Sequence, residues 1–428
     1  ITAAIVLGTL AVVYQGWDMF VGTPSRVMLQ GSDDSYYYFW LRSAVVDGDL
    51  DFANELRTAP TIDDSARPGL LAEPRTPIGR LRNKYPIGWA LASAPFFLVA
   101  HALAKLTGQP ADGWQPIYFV FIWAGHLGYT LGGLWLACRV LRRFVSGEAA
   151  WVGVLAVWLA SPLLYYQTAR ISLVHGLAFV LTVAAIELAF LIREKPASRR
   201  NWMLLGGAAG LLLLTRPTSV VYLLFPAWLA GVLLFNATSR RDAWHGLVWA
   251  ALPALALFGL QSAAWHQVFG SWWLYTYAGE TFHFASPQLV QVLFSPWHGL
   301  FYWHPILLVG GVAFCYATIR NFFPATWLLS LAGIIYLNAA WWCWWFASSF
   351  GNRAFEGAML FFMAGIGYLW DWTSSRTFLQ RGLMVVLTAG ILFNGVLLML
   401  FMTESISRKD PVTYIEMLEA ARRLMGRT

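Results

Sequence analysis

The chain has 428 residues, of which 58% are hydrophobic and 12% are charged, whereas a soluble domain typically carries about 25% charged residues. This composition excludes a soluble globular protein with a single anchor and indicates an integral membrane protein with many helices. The net charge of +7 does not indicate nucleic-acid binding, because the arginines fall mainly in short loops between hydrophobic segments, as the positive-inside rule predicts.

Hydrophobic stretches long enough to cross a bilayer, which takes roughly 17–25 residues, recur along the chain. They predict an all-α polytopic transmembrane bundle of roughly eleven or twelve spans, with short surface helices in the first extracytoplasmic loop. The predicted spans are 1–20, 86–106, 117–138, 149–167, 173–192, 202–215, 219–236, 246–266, 303–319, 323–342, 354–372 and 382–402. They predict one transmembrane domain, 1–402, which includes an extracytoplasmic acidic loop, 31–85, and is followed by an amphipathic tail, 403–428.

Ile1 is not a methionine, so the segment 1–20 is interpreted as the remaining part of a first spanning helix rather than as a signal peptide. Five groups of arginines are predicted to lie in the cytoplasm, at 139–143, 193–200, 240–241, 320 and 376–381. If the acidic loop is extracytoplasmic and the arginines at 139–143 are cytoplasmic, an odd number of crossings separates them. The span 117–138 is one such crossing, so we expect the segment 86–106 to be re-entrant or interfacial.

An acidic and aromatic segment, 31–55, follows the first hydrophobic stretch. Its carboxylates are Asp33, Asp34, Asp47, Asp49, Asp51 and Glu55. Carboxylates are costly in lipid, so the segment is expected at or outside the membrane surface. Asp33 and Asp34 are the candidate catalytic residues, because a general base needs a carboxylate within reach of a substrate hydroxyl or amine. One of the two could instead cap the helical run 36–46, and the sequence leaves the choice open.

Further polar residues are predicted on the same side of the membrane. Arg216 interrupts two apolar helical halves, and its planar guanidinium suits a phosphate or diphosphate as well as a structural ion pair. Arg353 follows a tryptophan-rich run that could stack on a sugar or anchor the membrane interface, and it could pair with Glu356 on one helix face. The candidate substrate- and phosphate-binding residues are Arg216, Arg353, Lys84, Arg170, His175, Tyr166 and Glu280. No cofactor is predicted with certainty, and the loop carboxylates leave a divalent metal ion open.

Several short segments, taken in order, resemble the glycosyltransferase C superfamily, specifically the bacterial relatives of protein O-mannosyltransferases and aminoarabinose transferases. The segments are 31–36, 42–43, 47–54, 84–88, 164–166, 215–218, 294–301 and 350–353. The resemblance implies a sugar donor carried on a polyprenyl phosphate, an inverting displacement, and cations that hold the donor phosphate. It also implies that the base is Asp33 or Asp34. Relatives often have Asp-Glu at this position, and the Asp-Asp found here leaves the choice open.

The resemblance therefore implies a multi-pass enzyme of the bacterial inner membrane, with its active site on the extracytoplasmic side. Its expected partners are membrane lipid and a lipid-linked sugar, while a protein partner and the identities of sugar (hexose or pentose) and acceptor are left open. Two other functions fit the same composition. One is a flippase or transporter of lipid-linked sugars, which needs the cations but no base. The other is a non-catalytic scaffold subunit of a larger membrane complex, since a fold does not guarantee its usual activity.

Overall fold

The computed structural model describes residues 28–29, 31–424 and 426, so the predicted first span lies outside the described part of the chain. Within 31–424 the protein is built from helices, and its β-structure is confined to one isolated bridge between Phe282 and Trp341. The prediction of an all-α polytopic membrane protein is confirmed.

The helices of the described residues are numbered in chain order. They are α1 (Ser32–Arg42), α2 (Ala53–Thr58), α3 (Arg67–Leu71), α4 (Gly88–Leu106), α5 (Pro116–Leu141), α6 (Gly147–Leu159), α7 (Leu163–Thr168), α8 (His175–Glu194), α9 (Arg199–Thr215), α10 (Leu224–Phe235), α11 (Arg240–Phe269), α12 (Leu289–Phe294), α13 (Leu300–Trp303), α14 (Ile306–Ile319), α15 (Ala325–Ala340), α16 (Met359–Thr373), α17 (Thr377–Met402) and α18 (Tyr414–Leu424). A π-helical segment, Ser43–Asp47, continues α1, and 3-10 turns at Pro217–Leu223 and Arg353–Ala358 precede α10 and α16.

Helices of membrane-spanning length and apolarity account for much of the chain. Six such helices are present between 88 and 402, namely α4, α5, α8, α11, α17 and the stretch 217–235 that ends with α10. The apolar helices α6, α14 and α15 are shorter. Every predicted span from 86 onward contains a helix, because a continuous apolar run has to satisfy its backbone hydrogen bonds internally.

The most deeply buried of the long helices is α8, which packs against α5, α7, α9 and α10. Its first residue, His175, lies at the cavity described below. Further along α8, Glu187 forms ion pairs with two of the predicted cytoplasmic arginines. Its Oε1 lies 2.7 Å from Arg139 Nε, and its Oε2 lies 2.9 Å from Arg143 Nη1. Glu187 lies twelve residues after His175, about 18 Å along the helix, so the cavity and this basic cluster are well separated along the bundle.

The predicted re-entrant or interfacial segment forms one continuous helix, α4. Before α4, the carbonyl of Tyr85 accepts a hydrogen bond from Trp40 Nε1 (2.9 Å). After α4, the carbonyl of Gly113 accepts from Tyr38 Oη, and the carbonyl of Asp112 accepts from Arg42 Nε (2.8 Å). The loops on both sides of α4 therefore contact α1. This argues against a re-entrant hairpin and agrees with an interfacial helix, which stays a prediction.

The amphipathic tail forms α18, which packs against α17. Met417 and Ala420 are buried, whereas Ile415 and Leu418 are exposed. The ring of Tyr414 stacks on Tyr302 with centroids 4.2 Å apart. The tail is thus attached to the bundle through one face, while apolar residues of the other face stay exposed.

Candidate functional site

A cavity of about 320 Å³ opens at the end of the bundle where α8 begins. This volume lies at the lower end of the range of small-molecule sites, roughly 300–1,000 Å³. Its charged and polar lining includes Asp33, Lys84, His175, Arg216, Glu280 and Arg353. Its aromatic lining is formed by Tyr37, Tyr85, Tyr275, Tyr277, Phe282, Trp341, Trp342 and Phe346. Six of the nine predicted site residues therefore meet at one cavity.

Asp33 presents a carboxylate to this cavity from the first turn of α1. Its Oδ1 accepts a hydrogen bond from Tyr85 Oη (2.6 Å), and its Oδ2 lies 3.1 Å from Arg353 Nη2. The side chain is 33% exposed. Because the carboxylate is held by two donors yet remains accessible, it can reach a hydroxyl or amine that enters the cavity.

Asp34 has a different environment, although it is the next residue. Its side chain is fully buried, and its Oδ2 lies 2.8 Å from both Nε and Nη2 of Arg170. Its Oδ1 accepts a hydrogen bond from the backbone N–H of Gly31 (2.9 Å), and this hydrogen bond caps the N-terminus of α1. Asp34 and Arg170 do not line the cavity. Their roles in catalysis and phosphate binding stay predictions, and in this structure the two side chains pair with each other.

Lys84 and Glu280, which both line the cavity, form an ion pair with each other. The Lys84 ammonium also lies 5.4 Å from the ring centroids of Tyr85 and Tyr277, within the range of cation–π attraction. Trp342 Nε1 lies 3.4 Å from Glu280 Oε2. Two loops that are distant in sequence thus supply one charge each. Because Lys84 is already paired with Glu280, an anion that enters the cavity has to compete with that carboxylate.

Arg216 lies where α9 stops and the 3-10 turn begins. The backbone of Arg216 is extended (φ −153°, ψ 105°), and Pro217 starts the next helical turn, which explains the predicted break between two apolar halves. The guanidinium donates to Thr218 Oγ1 (3.0 Å), contacts His175 Nδ1 (3.0 Å), and lies 5.3 Å from the ring centroid of Phe346. Among the described residues, no carboxylate oxygen lies within 4 Å of Arg216. Arg216 is therefore the arginine of the cavity whose positive charge is available to an anion.

The spacing of Arg353 and Glu356 would allow the two side chains to pair on one helix face. Arg353 instead pairs with Asp33, and Glu356 contacts His175, whose Nδ1 lies 3.0 Å from Glu356 Oε2. Each side chain has a partner on another element, Asp33 of α1 for Arg353 and His175 of α8 for Glu356, and of the two only Arg353 lines the cavity.

The phenols around Asp33 are held in their neutral form. Burial raises the pKa of Tyr85, and the charge of Asp33 raises it further. Burial and the Asp33 carboxylate likewise raise the pKa of Tyr277. Both side chains therefore remain hydrogen-bond donors at neutral pH, and Tyr85 uses its proton to orient Asp33.

Tyr166 is the third predicted residue that does not line the cavity. Its hydroxyl lies 3.1 Å from Ser349 Oγ and accepts from the backbone N–H of Phe350 (3.0 Å), so it joins α7 to the loop before Arg353. Sequence reasoning did not assign roles to Tyr85 and Tyr277. Tyr85 lies inside the segment 84–88, which carries part of the family resemblance, whereas nothing in the pattern distinguishes Tyr277.

The histidines and carboxylates give no metal centre in the described part of the chain, where no three His, Cys, Asp or Glu side chains come together with metal-binding geometry. His298 and His304 are buried away from the cavity. His298 Nδ1 lies 2.8 Å from the carbonyl of Trp345.

The comparisons with known proteins give a structural neighbour. No family model matches the chain, and no curated protein matches it. The archaeal oligosaccharyltransferase AglB from Archaeoglobus fulgidus, solved in complex with an inhibitory peptide and a dolichol-phosphate, is similar to this chain with a TM-score of 0.43 and 10% sequence identity. The similarity covers 99% of this chain and 54% of that chain, so this chain spans about half of the neighbour's length. The assignment of a function therefore depends on the cavity and its residues.

Proposed function

We propose that the protein is an integral membrane glycosyltransferase that moves a hexosyl or pentosyl group from a polyprenyl-phosphate donor to an acceptor, with inversion. The observation that carries the proposal is one cavity that holds an accessible carboxylate, Asp33, together with a guanidinium, Arg216, that has no carboxylate within 4 Å among the described residues. The proposed location is the bacterial inner membrane, with the cavity facing the extracytoplasmic side.

The proposed reaction uses the carboxylate as a base. Asp33 takes the proton from an acceptor O–H or N–H, and the acceptor atom attacks the anomeric carbon of the donor sugar. The bond between that carbon and the phosphate oxygen breaks on the opposite face, and its electron pair leaves with the polyprenyl phosphate. The products are the glycosylated acceptor, the polyprenyl phosphate anion and protonated Asp33.

The cations have different parts in this proposal. Arg216 binds the phosphate and stabilises the charge that develops on the leaving oxygen, while Lys84 joins it when the anion competes with Glu280. Arg353 holds Asp33 in place, so it is a positioning residue for the base rather than a phosphate ligand. Of the two candidate bases, Asp33 is favoured over Asp34 because only Asp33 lines the cavity.

Release of polyprenyl phosphate from a panel of polyprenyl-phosphate sugars tests the proposal, with purified protein in detergent and a range of acceptors. We expect Asp33→Asn to lower the rate at least about 100-fold, the usual contribution of a general base. Glu73→Gln is the matched control, since Glu73 is an exposed acid of the same loop that does not line the cavity. Its rate should equal that of the wild type.

The alternatives give different results in the same assay. A flippase or transporter binds the donor but does not cleave it in detergent, where there is no second compartment. A scaffold subunit neither cleaves the donor nor loses its function when Asp33 is replaced. Donor cleavage that survives Asp33→Asn in a folded protein would disprove the assignment of the base.

A further inference from the structure

Three uncharged polar side chains line the same cavity, and the proposed reaction does not use them. They are Tyr37, Tyr277 and Asn338, which we call the neutral cluster. Tyr37 is 5% exposed and Asn338 is 2% exposed. Buried hydroxyl and amide groups are normally hydrogen-bonded, so a buried polar atom without a partner requires an explanation.

Asn338 lies near the end of α15, and its amide is held in one orientation. Its Nδ2 donates to the backbone carbonyl of Ala354 (3.3 Å), and because a carbonyl can only accept, the amide nitrogen has to face Ala354. The Oδ1 at the other side of the amide has no hydrogen-bond donor among the described residues, and it is not sealed in the interior. Asn338 therefore presents an acceptor of fixed position to the cavity.

Tyr37 and Tyr277 supply hydrogen-bond donors. Neither phenolic hydroxyl has a hydrogen-bond partner within the described part of the chain, and neither is sealed in the interior. Burial raises the pKa of both phenols, the negative charge of Asp33 raises it further, and the positive charge of Arg216 opposes the rise. Both phenols therefore keep their protons at neutral pH, and both lie close enough to Asp33 and Arg216 to interact with their charges.

The neutral cluster lies in the part of the cavity where the reacting sugar has to be. In the proposed reaction the anomeric carbon is held between an acceptor at Asp33 and a phosphate at Arg216. The phenols are close to both of these charges. Asn338 belongs to the phosphate side, because α15 packs against the 3-10 turn that follows Arg216, where Ser330 Oγ donates to the carbonyl of Val221 (2.7 Å).

We propose that the neutral cluster binds hydroxyl groups of the donor's sugar, and that Asn338 is the residue that determines specificity for one of them. This inference rests on the proposed function, because it assumes that the ligand is a lipid-linked sugar. A fixed amide oxygen accepts from a hydroxyl at one position of the ring, and a sugar that lacks this hydroxyl leaves the oxygen unpaired. Sites that hydrogen-bond a substrate hydroxyl in this way strongly reject the analogue that lacks it.

Equilibrium binding in detergent, with no acceptor present, tests the inference. The first probes are short-chain polyprenyl phosphates that carry glucose, mannose, galactose or arabinose, together with the polyprenyl phosphate that carries no sugar. The sugar lipid that the wild type binds most tightly is then compared with its monodeoxy derivatives, each of which lacks one hydroxyl. We expect one derivative to bind roughly tenfold more weakly, because it leaves the Asn338 oxygen without a donor.

Asn338→Leu removes the acceptor and nearly keeps the size of the side chain. In this variant the parent lipid and that derivative should bind equally within about twofold, while the sugar-free phosphate keeps its affinity. Asn394→Leu is the matched control. Asn394 is also buried and donates to a backbone carbonyl, that of Leu159 (2.7 Å), but it does not line the cavity, so its variant should keep the full discrimination. Thermal unfolding verifies that each variant is folded.

Tyr277→Phe tests the cluster independently of Asn338→Leu, since it keeps the ring and removes one O–H. Binding of the parent sugar lipid should weaken roughly tenfold, because the ligand oxygen loses its donor. Binding of the sugar-free phosphate should stay within about twofold of the wild type. Equal weakening of both lipids would mean that the phenol binds the phosphate, which contradicts the inference.

The outcomes separate this inference from the proposed reaction. If no sugar lipid binds more tightly than the sugar-free phosphate, or if every derivative binds like its parent, the inference is wrong even when the wild type transfers sugar. A loss in Asn338→Leu that is the same for every lipid would assign Asn338 to structure alone and overturn it as well. If the wild type shows the predicted discrimination but cleaves no donor, the transferase proposal is wrong and the sugar site stands.

Discussion

At the scale of single residues, the two adjacent aspartates of α1 show how one helical turn separates chemistry from structure. Asp33 faces the cavity, while Asp34 faces Arg170 and the N-terminus of the helix. Successive side chains of a helix point about 100° apart, since a turn holds 3.6 residues. The two carboxylates can therefore have unrelated surroundings, and we expect them to respond differently to substitution.

The first prediction concerns Asp34. Asp34→Ala leaves the mostly buried Arg170 without its carboxylate, and breaking a buried ion pair in this way costs about 3–5 kcal/mol. We expect the thermal unfolding temperature to fall well below that of the wild type. Asp33→Ala also leaves a mostly buried arginine, Arg353, without its carboxylate, but the carboxylate that is removed is itself partly exposed, so the unfolding temperature should fall less. Equal unfolding temperatures for the two variants would contradict the assignment of Asp34 to structure.

A second prediction concerns Glu55, which lies in the acidic loop. Its carboxylate is buried and lies 2.9 Å from Arg42 Nη1. Burial and a hydrogen bond with Asp47 outweigh the Arg42 charge and raise the pKa of Glu55 to about 8. Between the ordinary carboxyl value and about 8, the folded protein holds a proton that the unfolded chain has lost. The free energy of unfolding therefore falls as the pH rises through this window.

The measurement for Glu55 is the unfolding temperature of the wild type and of Glu55→Gln across that pH window. The unfolding temperature of Glu55→Gln should rise relative to that of the wild type as the pH increases, because glutamine stays neutral. This difference should level off above about pH 8. Glu73→Gln serves as the control for an exposed acid. A difference that does not change with pH would show that Glu55 titrates as an ordinary carboxylate.

Sequence reasoning identified most of the charged residues of the site, because charge in a hydrophobic chain is conspicuous. It could not separate Asp33 from Asp34, because their surroundings come from Arg170 and Arg353, which are distant in sequence. It also could not assign Tyr277, because aromatic side chains are abundant in this chain and serve equally well as interface anchors.

At the scale of elements, the apolar segments were predictable because their length alone favours a helix in lipid. The position of α4 was harder to predict, because its length would also permit it to cross. The contacts that its flanking loops make with α1 favour an interfacial position, which stays a prediction. The 3-10 turns that hold Arg216 and Arg353 could not be predicted in detail, since they depend on packing against neighbouring helices.

The position of α4 gives a third prediction. If it lies along one face, Gln109 after α4 should be on the same side of the membrane as Asp64 before it, and Thr238 should be on the opposite side. All three are exposed. Single cysteines at these positions, introduced after the native cysteines are replaced, can be labelled in intact cells with a membrane-impermeant maleimide. We expect labelling at the first two positions and protection at Thr238.

The outcome for Gln109 decides the topology. If Gln109→Cys is protected while Asp64→Cys is labelled, α4 crosses the membrane, and the contacts at its two ends need another explanation. Permeabilised cells provide the control, because all three positions should then react. The same experiment also tests the predicted side of the acidic loop, through Asp64→Cys alone.

At the scale of the whole molecule, α8 connects two polar clusters with different tasks. The cavity cluster begins at His175, and the basic cluster surrounds Glu187 twelve residues later. Twelve helical residues extend about 18 Å. Sites more than about 10 Å apart that share no partners usually contribute independently to the energetics of a protein. The two clusters should therefore be separable by mutation.

The fourth prediction tests this separation. Glu187→Ala leaves Arg139 and Arg143 without their buried carboxylate, so the unfolding temperature should fall because part of the positive charge at this end of the bundle loses its compensation. The affinity for a lipid-linked phosphate should stay within about twofold of the wild type, since sites this distant are expected to be additive. Arg216→Met should show the opposite pattern, with weaker lipid binding and a smaller fall in unfolding temperature. It removes the cavity arginine that lacks a nearby carboxylate. A large loss of lipid affinity in Glu187→Ala, measured in protein that is still folded, would instead mean that α8 transmits strain from one end of the bundle to the other.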